Sequence, residues 1–286
     1  MLTMMAAAAS YGLVTPLAKL AATQLIPVGL FTSFQYPLAL VVFGLAVLFS
    51  RRRFGVLTAR DWGQSALVGA FGAGTALTYY QALLRVPASL GIILLFQFAW
   101  ILPVLTWMID GVRPNTRQWM AIAGIVAGTA LAAGLGGAAS ASWAGILLGL
   151  GAGLSYALLL LVQNRSTGSG SVWMRSWISS LAAGLIVVIV YRPWTLIGGH
   201  PHWTAALGYG TLIGLAGQSL PLLLVYLSAP ALGGALTAIL ASFELPVAIL
   251  LSALWLHEPV GRLQWIGVLL MLAALVWGSL PDTSSA

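Results

Sequence analysis

Apolar runs of about twenty residues follow one another along almost the whole of this chain, each long enough to cross the hydrocarbon core of a bilayer as a helix. They fall at 2–22, 29–49, 62–84, 87–109, 118–137, 143–163, 172–191, 204–227, 231–255 and 263–280. The connections are short and rich in Gly, Pro, Ser and Arg, and they leave no room for a soluble domain. Charged residues make up 6% of the chain, against about 25% in ordinary soluble domains. The chain therefore reads as an all-α polytopic membrane protein of ten transmembrane helices. The alternating segments of about ten residues that build a membrane β-barrel are absent. With no cysteine, disulfides and thiolate sites are excluded.

A net charge of +7 raises the question of nucleic acid, but the basic residues sit in short loops between apolar runs and form no basic domain, so no nucleic-acid partner is expected. Their distribution carries topology instead. Arg51, Arg52, Arg53, Arg60, Arg113, Arg117, Arg165 and Arg175 fall on one side of the membrane, and Lys19, Arg85, Arg192 and Arg262 on the other. The positive-inside rule places the first group, and both termini, in the cytoplasm. Met1 to Ala9 lacks a positive leading region and runs straight into apolar sequence, which reads as a retained first span. Tryptophans 62, 119, 143, 173, 194, 203, 255, 265 and 277 fall near span ends, as an interfacial belt should.

The two halves of the chain resemble each other. Ser10-Tyr11-Gly12 matches Ser155-Tyr156-Ala157; Gly91 and Pro103 match Gly234 and Pro246; Pro114 matches Pro259; Gln118-Trp119 matches Gln264-Trp265. The order is shared and the offset nearly constant, so residues 1–137 and 143–280 read as two five-helix repeats. An odd number of spans per unit makes the second unit cross the membrane in the opposite sense. That inverted-repeat plan belongs to many secondary transporters, whose substrate site lies near the bilayer midplane between the repeats.

Together with the Tyr79-Tyr80-Gln81-Ala82-Leu83 run ending the third span and the turn Glu258-Pro259…Gln264-Trp265-Ile266-Gly267, this plan resembles the drug/metabolite transporter superfamily, EamA type. Within it the chain is most similar to bacterial aromatic amino acid exporters of the YddG kind. The resemblance covers essentially the whole chain. It implies a basket of ten helices in which the first, third, fourth, sixth, eighth and ninth spans line a central cavity and the fifth and tenth brace it. It also implies export of amino acids or similar metabolites across a bacterial inner membrane. The first-half turn departs from the pattern, with Arg113 where the second half has Glu258.

Polar groups inside apolar helices must face protein or water, because lipid offers them no partner. On that rule the cavity candidates are Tyr11, Thr15, Thr78, Tyr79, Gln97, Trp100, Tyr156, Gln163, Gln218 and Glu244. Serine and threonine hydroxyls can bond back to their own helix, so Gln97 and Gln218 rank above them. Such a lining of rings and neutral donors suits an amphipathic solute with an apolar side chain. Phosphates would need clustered arginine or lysine. Pro16, Pro37, Pro103, Pro221 and Pro246 are candidate kinks, and Gly145, Gly149 and Gly153 read as a packing seam.

Glu244 is the sharpest of these. Flanked by Phe243 and Leu245, it sits about 20 Å into a run that starts at Ala231 and reads as one long helix. An ionisable group at such depth costs about 3 kcal/mol and marks a function by default. Thr237, Ala241, Glu244, Ala248 and Ser252 share one small, weakly polar helix face. Aligned on the prolines, the repeat partner of Glu244 is Ile101, so the site is asymmetric in charge. A lone carboxyl group can take up and release a proton, which makes Glu244 the candidate for proton coupling.

Catalytic sets are missing. Asp110 has no facing acid, His257-Glu258 has no second histidine at helical spacing, and no serine has a base in reach. Neither an enzyme, a cofactor nor a metal is expected. The partners expected are a small-molecule substrate and the lipid bilayer, with one chain sufficient to build the cavity.

Overall fold

The first amide groups of a helix have no partner within it, and polar side chains at a helix start can supply one. In the computed structural model, which describes residues 1–49, 57–86, 88–133, 142–166, 171–197, 203–257 and 260–280, four such starts are closed by side chains. Thr58 and Asp61 close one reciprocally, Asp61 Oδ2 accepting from the Thr58 amide at 2.9 Å. Ser142 accepts from the Gly145 amide at 3.1 Å. Two glutamines that match between the halves of the sequence do the same work: Gln118 Oε1 accepts from the Asn115 amide at 3.0 Å, and Gln264 Oε1 from the Gly261 amide at 2.8 Å.

The helices so formed are α1 (Leu2–Gly12), α2 (Val14–Thr23), α3 (Val28–Phe49), α4 (Ala59–Leu83), α5 (Ala88–Leu95), α6 (Phe98–Asp110) and α7 (Thr116–Ala133). They continue with α8 (Trp143–Asn164), α9 (Val172–Tyr191), α10 (Pro193–Ile197) and α11 (Trp203–Gly214). A π-helical turn (Leu215–Ser219) then leads into α12 (Leu220–Ala241), followed by α13 (Glu244–Leu256) and α14 (Arg262–Ser279). Among the described residues there is no strand. Among the described residues six stretches are long and apolar enough to cross a membrane: Val28–Phe49, Leu90–Asp110, Trp143–Asn164, Val172–Tyr191, Trp203–Trp255 and Arg262–Ser279. The fifth turns at Gly233, whose φ of 72° and ψ of 167° interrupt α12. Arg51, Arg52, Arg53, Glu258 and Pro259 lie outside the described residues.

Three of the apolar runs are broken, and the breaks correct the expectation of one long helix around Glu244. That run divides at Ser242–Phe243 into α12 and α13. Pro246 accounts for the position, because its ring has no amide to offer the Ser242 carbonyl. Pro16 stands in the same relation to Gly12, and the first run divides at Leu13. The fourth run divides at Phe96–Gln97, away from Pro103, while α3 runs through Pro37 without interruption.

Close backbone approach fixes how the helices cross. A Cβ built on Gly69 of α4 would stand 2.2 Å from the Ser179 carbonyl oxygen of α9. One built on Gly214 of α11 would stand 2.2 Å from the Gln35 carbonyl oxygen of α3. The glycine seam expected at 145, 149 and 153 lies along α5, a Cβ on Gly153 falling 2.7 Å from the Leu94 carbonyl oxygen. Helices α7 and α14 pack on each other outside the rest, Gly267 against Gly128.

The two ends of the bundle are joined by different contacts. At one, Arg165, just past α8, pairs with Asp110 of α6 and Arg117 reaches the Leu280 carbonyl at 3.3 Å. At the other, the Ser142 amide donates to the Arg85 carbonyl at 3.3 Å and Gln24 donates to Tyr209 at 2.9 Å. Towards the Asp110 end the interior is filled by Met4, Phe43, Val68, Leu102, Leu160, Leu222, Val225 and Tyr226. Arg175 also belongs to this end, and it is not the loop cation that the sequence suggests. It is 1% exposed in the first turn of α9 and pairs with Asp61 of α4. Asp61 supplies the counter-charge without which burial of a guanidinium would be prohibitive. Beside that pair, Ser179 donates to the Ser65 carbonyl and meets the Tyr226 hydroxyl, both at 2.7 Å.

A tyrosine-lined cavity at the helix breaks

Between the breaks and the Arg85 end of the bundle the helices stand apart and leave a cavity of about 130 Å³. A single water needs only about 10–15 Å³ of such space, so the volume accommodates a small organic solute. Its wall is built from α1 and α2 (Tyr11, Val14, Thr15), α3 (Gln35, Tyr36), α4 (Gly72, Thr75, Ala76, Tyr79, Tyr80), α5 (Ile92, Leu95) with Phe96, α8 (Tyr156, Leu159), Ile213 of α11 with the π-helical turn (Gly217, Gln218), and α13 (Glu244, Leu245, Ala248). Among the described residues no lysine, arginine or histidine lines it, and Glu244 is its one acid.

Glu244 owes its place to the break. It is the first residue of α13, just past the break, and it lines the open space. Tyr156 donates to Glu244 Oε2 at 3.5 Å, the outer limit of a hydrogen bond. No other hydrogen bond and no ion pair reaches this carboxyl among the described residues. The Tyr156 ring is held on both sides: Tyr11 meets it edge-on at 5.9 Å between centroids, and Phe98 at 4.7 Å. Tyr79 and Tyr80 lie 6.0 Å apart, and Phe31 supports Tyr80 edge-on at 5.6 Å. Edge-to-face pairs fix ring orientation, so these aromatic walls are preset. Gln218 donates to the Ser180 hydroxyl at 3.3 Å, which leaves its amide oxygen for the cavity side.

Tyr11, Thr15, Tyr79, Tyr156, Gln218 and Glu244 thus line the cavity, and four other candidates do not. Thr78 turns its hydroxyl back to the Gly74 carbonyl at 2.6 Å. Gln97 sits at the break of the fourth run, donates to the Ile93 carbonyl at 2.9 Å and accepts from the Trp100 indole at 2.7 Å. Both residues are spent on repairing that break, and Trp100 lies on the outer surface, 41% exposed. Gln163 is fully buried beyond the cavity, with neither amide atom partnered among the described residues. The small-residue face expected on one long helix is divided by the break: Glu244 and Ala248 line the cavity, whereas Thr237 donates to Asn164 Oδ1 at 2.9 Å.

Gln35 and Tyr36 of α3 were not among the candidates, since the cavity was expected to be lined without the second span. The signal was present: a glutamine next to a tyrosine and a proline inside an apolar run obeys the same rule as Gln218. The fifth and tenth runs, α7 and α14, contribute nothing to the wall. Among the described residues no cluster of acids and histidines could hold a metal.

Compared with known proteins, the chain matches the profile of the EamA-like transporter family twice, over residues 1–134 and 143–280. A solved structure described as "Crystal structure of protein" superimposes with a TM-score of 0.75 over 96% of this chain and 96% of its own, at 13% identity. At that identity the likeness is one of fold alone. No curated protein matches the chain by sequence.

Proposed function

We propose, for a chain that belongs to the EamA-like transporter family, that the cavity at the helix breaks carries small amphipathic solutes with an aromatic or apolar body, aromatic amino acids among them. The family suggests a membrane transporter of small solutes; the solute class is read from the wall. The observation that carries it is the lining itself: five tyrosines, neutral amides and one acid, enclosed between helices that break at mid-depth. Rings stack on apolar solutes, and the hydroxyls, amides and single acid of the wall meet a polar end.

In this reading the chain crosses the membrane ten times as two inverted five-helix halves, 1–137 and 143–280, and works by alternating access. Both termini lie in the cytoplasm of a bacterial cell and the direction is export. The double match to one profile supports the two halves. So do the two glycine crossings: Gly214 is Gly69 moved on by 145 residues, and Ser179 is Gln35 moved on by 144. Such reciprocal pairs are what a two-fold relation between halves requires. Glu244, the one acid on the wall, is the group through which a proton would be exchanged for solute.

Counterflow in proteoliposomes tests the reading, with phenylalanine, tryptophan and aromatic amines set beside a sugar phosphate and a large cationic dye. Flux of the aromatic solutes and not of the sugar phosphate is expected. Absence of any aromatic flux from correctly inserted protein would end it. Because the chain has no cysteine, single cysteines placed at loop positions report the orientation of the halves by labelling from either face.

A further inference from the structure

Resting on the transport reading above, we infer that Glu244 receives the ammonium group of the solute, and that the cavity selects singly charged aromatic amines over the matching zwitterions and carboxylic acids. The inference stands on what the wall offers to each end of a solute.

For an ammonium group the wall is prepared. Glu244 Oε1 has no partner and Oε2 has only the long contact to Tyr156. An intramembrane acid left in this state lacks a counter-charge that a bound cation would supply. Tyr11, Tyr79 and Tyr156 line the same cavity, and aromatic rings attract ammonium groups, most of all where water is excluded. Edge-to-face contacts of Tyr156 with Tyr11 and Phe98 hold that ring before anything binds.

For a carboxylate the wall offers no positive charge among the described residues, only neutral donors such as the tyrosine hydroxyls. No lysine, arginine or histidine lines it among the described residues. Helix starts are the usual substitute, but those at the three breaks have fewer amides to give. Helix α13 begins with Glu244 itself and has Pro246, which carries no amide hydrogen, as its third residue. Helix α2 has Pro16 as its third residue. In α6 the Ala99, Trp100 and Ile101 amides already donate to the Phe96 and Gln97 carbonyls. The Thr75 hydroxyl is returned to the Phe71 carbonyl and the Gln218 amide to Ser180. A solute carboxylate would lose its water for neutral groups such as Thr15 and Gln35, with Glu244 close by to repel it.

The test compares three solutes that share one ring: 2-phenylethylamine, phenylalanine and 3-phenylpropionate. Binding to the purified full-length protein is measured by calorimetry, and counterflow in proteoliposomes follows the same three. The amine should bind at least about tenfold more tightly than phenylalanine, a modest ratio for one uncompensated charge, and the acid should bind most weakly. Glu244→Gln should remove the amine preference, and Glu244→Asp should keep the order. A wild-type ratio below about tenfold, or an amine preference that persists in Glu244→Gln, overturns the assignment. If phenylalanine moves as readily as the amine, aromatic transport stands and the selectivity falls; if no aromatic solute binds or moves, both fall. Should Glu244→Gln not fold, the wild-type ratio decides alone.

Discussion

Asp61 and Glu244 each stand in the first turn of a helix, α4 and α13, yet the bundle treats them oppositely. Asp61 is fully engaged: it accepts from the Thr58 amide at 2.9 Å, from the Thr58 hydroxyl at 2.8 Å and from Arg175. Glu244 has one contact, at 3.5 Å. Asp61 and Arg175 close a place where two helices cross, whereas Glu244 opens onto a cavity. A buried charge whose partners are all protein groups holds helices together. One whose partners are missing is reserved for something that arrives, and the contrast separates a structural acid from a binding one.

Several substitutions would break that contrast if it is mistaken. The largest effect is expected from Arg175→Leu, which strands Asp61 without its counter-ion and should cost about 3–5 kcal/mol of stability. Thermal unfolding in detergent measures it, and an unchanged midpoint would mean the pair is not a lock. Glu244→Gln should leave that midpoint level or raise it, since no protein partner is lost. Its effect is instead the loss of amine preference, a change of about tenfold.

Gln97→Met comes next. It leaves the Trp100 indole and the Ile93 carbonyl without their partner, so a stability loss of about 1–2 kcal/mol is expected. Transport should be unaltered, because Gln97 repairs a break and does not face the solute. Tyr156→Phe removes only a long hydrogen bond, worth less than about 1 kcal/mol, and should weaken amine binding by a few-fold without moving the unfolding midpoint. Smallest is Gln163→Leu: with neither amide atom partnered, the change should be neutral or slightly stabilising. A marked loss on unfolding would reveal a partner for that amide.

Legibility in the sequence followed the range of the interaction. Gln118 and Gln264, noticed as a repeat pair, close their own helices three residues upstream. The glycines at 145, 149 and 153 announce a seam because spacing alone puts them on one face. Glu244 is conspicuous because any acid in so apolar a run must find water or a partner. By contrast, Arg175 reads as a loop cation because its partner lies 114 residues away. Gln97 and Gln35 obey the same rule in the sequence, and only the rotation of their helices decides between them. The break at Phe96–Gln97 turns one away to mend the backbone, while uninterrupted α3 delivers the other to the wall.

The sequence by itself determined that this chain is helical and membrane-embedded, that polar residues cap several of its helices, and that an acid in mid-run would need a polar setting. These follow from hydropathy and from hydrogen bonds made within a few residues. Only the tertiary structure decided which polar side chains meet across the bundle, where the helices part to leave a cavity, and that Asp61 is matched while Glu244 is not. Those outcomes depend on contacts between residues far apart in the chain, fixed by backbone approach at Gly69 and Gly214.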